Sequence, residues 1–119
     1  MLIAYWITAG LLALAFLGAG LMKATRPKEA LASSGMAYVE DFSDTQIKLI
    51  GVAEVLGAIG VVLPKLLGIA PALSLIAAAC LAITMVGAVV VHSRRKEAST
   101  PAVVLGVLAL AVLVLGILA

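Results

Sequence analysis

IAPALSLIAAACLAITMVGAVVV, residues 69–91, holds no charged side chain and is followed at once by His92-Ser93-Arg94-Arg95-Lys96. A helix rises 1.5 Å per residue, so about 20 apolar residues cross a hydrocarbon core of roughly 30 Å. This run has that length, and the basic cluster behind it suits a lipid–water boundary. Three further stretches share the pattern: 2–22, 44–63 and 101–119. The first and last also lack charge, whereas 44–63 carries Lys48 and Glu54. In a chain of 119 residues that is 65% hydrophobic, only 12% charged and has a mean hydropathy of +1.28, no water-soluble core could hide so much apolar surface. The expected fold is an all-α integral membrane protein. Four transmembrane helices form an antiparallel bundle in a single membrane domain, 1–119.

Helix boundaries are marked by local chemistry. Ser43-Asp44-Thr45-Gln46 has the form of a capping box, with Ser43 as N-cap and Gln46 three residues on; Phe42 and Ile47 then occupy the positions of a hydrophobic staple. Pro71 belongs in the first turn of the third span, and Thr100-Pro101 reads as a cap followed by proline at the first helical position. Pro64 to Gly68 is expected to be the turn of a helical hairpin. The connection 26–42 opens with a short helix bounded by Pro27 and Gly35. Its remainder, with Met36, Tyr38, Val39 and Phe42, is too apolar for a free loop; it lies along the interface or folds back on the bundle. Residues 2–22 lack a basic leader and a cleavage site, so they read as an uncleaved first span.

Lys23, Arg26, Lys28, Arg94, Arg95 and Lys96 lie in the first and third connections, and only Lys65 in the second. Basic loops stay on the cytoplasmic side. Loops 23–43 and 92–100 are therefore expected in the cytoplasm of a bacterial inner membrane, with both termini outside. Tyr5 and Trp6 are expected as anchors at the outer interface, and Tyr38 and Phe42 at the inner one. Gly18, Gly51, Gly57 and Gly60 are expected to pack helices closely, within one chain or between copies in a homo-oligomer, because lipid offers apolar helices no other reason to associate.

Several chemistries are excluded. The net charge of +2, sited at helix ends, gives no footprint for nucleic acid. The single cysteine, Cys80, permits no CxxC pair and reads as a small buried apolar residue. One histidine and scattered acids make no metal site, and there is no phosphate loop or nucleophile elbow.

Glu54 stands out. Ten residues into its helix, it sits about 15 Å deep, where insertion of an acid costs roughly 2.5–3.5 kcal/mol. Gly51, Glu54 and Gly57 share a face, so the carboxyl is expected to meet protein and to be partly neutral, since burial disfavours its charged form. It would serve as a proton-handling group, as a partner for a polar ligand head, or as a clip between helices. Lys23 is the nearest counter-charge. Ordinary snorkelling carries its ammonium outward, and an inward bend to Glu54 is the alternative. His92 either exchanges protons at the membrane face or complements the C-terminal dipole of its helix.

Leu17-Gly18-Ala19-Gly20-Leu21-Met22-Lys23, Pro27-Lys28, the stretch Lys48-Leu49-Ile50-Gly51-Val52-Ala53-Glu54-Val55-Leu56-Gly57, Pro64, Gly68 and the Met85…Ala88…His92 end of the third span together resemble the DoxX-like family. That resemblance implies a four-helix membrane bundle. Lys23, Glu54 and His92 match polar positions typical of the family, without an established catalytic role. The family's name comes from a small subunit associated with a thiosulfate:quinone oxidoreductase, and actinobacterial relatives join a membrane oxidoreductase complex. The resemblance thus implies an accessory subunit that binds quinone or lipid beside membrane or soluble redox partners, with no covalent cofactor and no stand-alone enzyme activity. Distant eukaryotic relatives are chaperones or cargo receptors, which gives the alternative: a scaffold or assembly factor for other membrane proteins.

Overall fold

The computed structural model describes residues 2–33 and 35–118. Its helices are α1 (Leu2–Thr25), α2 (Lys28–Ser33), α3 (Asp44–Leu67), α4 (Ala72–Arg94) and α5 (Thr100–Leu118), with a 3-10 turn at Ala37–Asp41 between α2 and α3. Ala119, expected as the end of the last span, and Ser34, expected in the first connection, lie outside the described residues. Among the described residues, α1, α3, α4 and α5 are long and apolar enough to cross a membrane. Packing runs in a ring, α1 on α3, α3 on α4, α4 on α5 and α5 on α1, each neighbour antiparallel to the next. The molecule is 40 Å along its longest axis. Its outward surface is a coat of exposed Leu, Ile and Val, Leu14, Leu56, Ile83 and Val107 among them, which only hydrocarbon would solvate well.

Two ends can be told apart. The basic end carries the 26–43 connection and the 95–99 link; the hairpin end carries the short α3–α4 turn. The capping box forms as expected, the Gln46 amide donating to Ser43 Oγ at 3.1 Å and the Ser43 amide to Gln46 Oε1 at 2.9 Å. Phe42 and Ile47 meet in a small second core with Leu31 and Val39, so the first connection folds back on the bundle.

Several boundaries differ from expectation. Pro64 does not end its helix. In the last turn it lacks one amide, while its carbonyl accepts from the Gly68 and Ile69 amides, and the chain turns at Gly68 with φ 69°. α1 runs three residues beyond Met22, because Lys23 turns into the bundle and leaves no reason for the helix to stop at a boundary. The third span begins later, at Ala72, and ends at Arg94; the last begins at Thr100, so Thr100 is inside the helix and not its cap.

Core packing fills the hairpin half. Tyr5, Leu12, Phe16, Val61, Leu81 and Val112 are buried there. Tyr5 is therefore no interface anchor: its hydroxyl donates to the Val61 carbonyl at 2.7 Å, and Trp6 packs edge-on against its ring. Cys80 is exposed on the outside of α4, contrary to the buried position expected.

The tightest helix crossing is α1 on α3. A methyl group built on Gly51 would lie 2.7 Å from both the Ala24 nitrogen and the Gly20 carbonyl oxygen, and one on Gly20 would lie 2.7 Å from the Gly51 oxygen. The obstacles are backbone atoms, which cannot rotate away. Gly57 and Gly60 abut Leu81 and Ala77 of α4. Gly18, expected at an interface, has nothing within 4 Å; Gly20, two residues on, takes that part because a 200° rotation carries it to the opposite face. Gly51→Leu should lower unfolding stability in detergent by roughly 3 kcal/mol through overpacking, while Gly18→Ala changes it by less than about 1 kcal/mol. Equal effects of the two would contradict this assignment of the contact.

Candidate functional site

Antiparallel packing of α1 on α3 sets the site. Gly20 and Gly51 are level at the crossing, so Lys23 lies three residues toward the basic end and Glu54 three residues the other way, an axial offset of about 9 Å. The two side chains close that gap. Lys23 Nζ donates to Glu54 Oε1 at 2.6 Å, with Lys23 7% exposed and Glu54 2%. The lysine stem thus runs toward the middle of the bundle, opposite to the outward course that snorkelling would give. Its Cβ is held against Gly51, where any larger residue would collide with it.

Beside the pair lies a cavity of about 530 Å³ in the basic half of the bundle. Lys23, Glu54, Tyr38, Phe42, Thr84 and His92 all line it, and most of its remaining wall is apolar. The register of α3 on α4 explains the composition. Gly57 meets Leu81, and three residues further toward the basic end on each helix are Glu54 and Thr84. Beyond that level Gly87 and Ala88 of α4 leave space beside Ile50 of α3.

Tyr38 and His92 extend the polar wall to the basic end. The Lys23 ammonium is 5.5 Å from the centre of the Tyr38 ring, whose edge meets His92 with centroids 5.0 Å apart. His92 Nδ1 stands 3.3 Å from Glu97 Oε1. Arg95 then links Glu97, at 3.2 Å, to Asp41, at 2.8 Å, and fastens the 3-10 turn to the end of α4. Hydrogen bonding to Asp41 raises the Arg95 guanidinium above its already high ordinary value, so this clasp stays charged at any physiological pH. His92 therefore faces a carboxylate and a tyrosine ring as well as ending its helix.

The residues named from sequence, Lys23, Glu54 and His92, all line one cavity. Tyr38 and Thr84 are the polar members that the sequence did not single out for the site. For Tyr38 the excess of apolar residues in its loop was the available sign. Chemically the cavity offers a cation with spare N–H groups. The ammonium has three protons, Glu54 takes one and the Tyr38 side chain accounts for at most one more. An acceptor such as a carbonyl oxygen could occupy the remainder. Among the described residues, no group of His, Cys, Asp and Glu is arranged to hold a metal ion.

Removing one partner of a buried ion pair strands the other. Lys23→Met should cost about 3 kcal/mol or more, because it leaves the buried Glu54 carboxylate without its counter-charge. Glu54→Leu should cost less, since the freed ammonium can swing outward, and the double variant should recover most of the loss. Unfolding titrations of the four proteins measure this coupling; additive losses would contradict it.

The sequence model of the DoxX-like family matches residues 7–114. No curated protein and no solved structure matches the chain.

Proposed function

The chain belongs to the DoxX-like family, and on that premise we propose that it is an accessory membrane subunit that holds a lipid-soluble, quinone-class ligand for a membrane oxidoreductase system. The ligand's polar head sits at Lys23 and Glu54, with Tyr38 and His92 beside it. Loops 23–43 and 92–100 face the cytoplasm of a bacterial inner membrane, and redox protein partners dock at that basic end. One observation carries the proposal: an ion pair deep in the bundle lines an apolar cavity large enough for a ligand. Cavities of several hundred Å³ with apolar walls and a few convergent polar groups are the usual form of a small-molecule site. Structural clipping alone would call for a packed pair with no space next to it.

A quinone suits this chemistry. Its ring is flat and apolar, and its carbonyl oxygens accept hydrogen bonds from an ammonium or a phenol without adding net charge to a site where charges already balance. A scaffold would dock other proteins by small-residue helix faces and by its basic loops. Gly20, Gly51, Gly57 and Gly60 are instead spent on packing the chain against itself.

Protein purified in mild detergent should release about one equivalent of quinone or lipid on solvent extraction. Adding a short-tailed benzoquinone at 100 times its dissociation constant should stabilise the folded protein by about 2.7 kcal/mol. The Lys23→Met/Glu54→Leu double variant should fold and show no such gain. An empty preparation whose melting ignores added quinone would overturn the proposal.

A further inference from the structure

Exposed residues border the cavity at two places, the basic end and Gly87 on the side of the bundle. Toward the hairpin end it stops at the level of Glu54, Thr84 and Met85, and the buried core that includes Phe16 and Leu81 continues from there. At the basic end Tyr38 and Phe42 line the cavity beside a turn clasped by Arg95, and the exposed Gly35, Ala98 and Pro101 border it there, so this opening faces the headgroups and water. Between α3 and α4 the wall is different. Gly60 against Ala77 and Gly57 against Leu81 seal that seam in the hairpin half. Ten residues from Gly60 and Ala77, toward the basic end, the same register brings Ile50 level with Gly87. Gly87 lines the cavity and is also exposed on the outside of the bundle, and a methyl group built on it meets nothing within 4 Å. A residue that borders the inside and the outside at once, with empty space over it, marks an opening.

We infer that the ligand reaches the cavity sideways through this gap between α3 and α4 at Gly87, from the leaflet at the basic end, and that its tail lies in the gap while the head is bound. The inference rests on the quinone-class reading above and adds where the tail goes and which leaflet supplies the ligand. About 530 Å³ holds a ring and a short piece of chain. The rest of a long prenyl tail has to leave; the basic-end opening faces water, and the gap at Gly87 opens on acyl chains. Water is excluded from that route and acyl chains are not, so the tail never leaves hydrocarbon.

The test compares a long-tailed and a short-tailed benzoquinone on the wild-type chain, on Gly87→Leu and on Gly18→Leu, with the protein in lipid nanodiscs. Gly18 also has open space around it but does not line the cavity, so it controls for adding a leucine to the surface. Gly87→Leu should weaken the long-tailed quinone about tenfold, the equivalent of 1.4 kcal/mol, and leave the short-tailed one unchanged. Gly18→Leu should change neither. Equal binding of the long-tailed quinone by Gly87→Leu and wild type overturns the gap alone. Loss of both quinones in Gly87→Leu also overturns it, since Gly87 would then border the head and not the tail. A wild-type chain that binds neither quinone overturns the ligand reading, and the gap with it. A diazirine midway along the tail gives a readout on the unaltered chain. Labels in the basic halves of α3 and α4 support the gap, and labels concentrated on α1 or α5 overturn it.

Discussion

A lysine and a glutamate that would each be costly in hydrocarbon are held together at 2.6 Å near the middle of a helix bundle. Neither is placed there by its own preference. The ammonium would ordinarily turn to the headgroups, and the carboxyl lies halfway along its helix, on a side chain too short to reach them. Their meeting depends on Gly20 and Gly51, whose missing side chains let two backbones touch and aim Lys23 across the crossing. Ion pairs of this kind often do no better for stability than well-packed apolar residues of the same volume. A pair that borders a cavity therefore points to binding more than to folding strength.

The bundle is built unevenly along its length. Aromatic and branched side chains fill the hairpin half, and Tyr5 even satisfies a helix carbonyl from inside the core. The basic half replaces them with Ala19, Ala88 and Gly87 around an empty space. Short α3–α4 connection and dense packing go together, as do the long α1–α3 connection and the hollow. The long connection folds back to supply Tyr38 and Phe42 to the wall, which a tight turn could not do. The cavity is thus one-sided, a shape suited to holding a ligand and not to passing it across.

Sequence alone disclosed the spans because bilayer thickness imposes a length on them, and it disclosed the start of α3 because Ser43 and Gln46 interact within one turn. The facing of each helix was harder to read. Spans apolar on every side carry no hydrophobic stripe to mark the inside, so composition alone points Cys80 inward, Tyr5 to an interface and Gly18 to the contact that Gly20 makes. A difference of two residues reverses the face of a helix, and composition does not register it. Glu54 was legible because a lone acid in hydrocarbon is anomalous wherever it points. Its partner was harder, since Lys23 is 31 residues away and behaves against its usual habit. Tyr38 depended on how an irregular segment folds back, which no periodicity encodes. Membership of the DoxX-like family agrees with the fold and leaves the ligand to experiment.

Everything proposed for the site requires Lys23 to reach Glu54 within a real bilayer. Solid-state NMR on protein in liposomes, with 15N in lysine side chains and 13C in glutamate carboxyls, measures that contact directly. A strong dipolar coupling lost in both Lys23→Met and Glu54→Gln is the expected result, in keeping with an N–O separation of 2.6 Å. A Lys23 ammonium that couples instead to lipid phosphate 31P, with no Glu54 contact, would contradict the account.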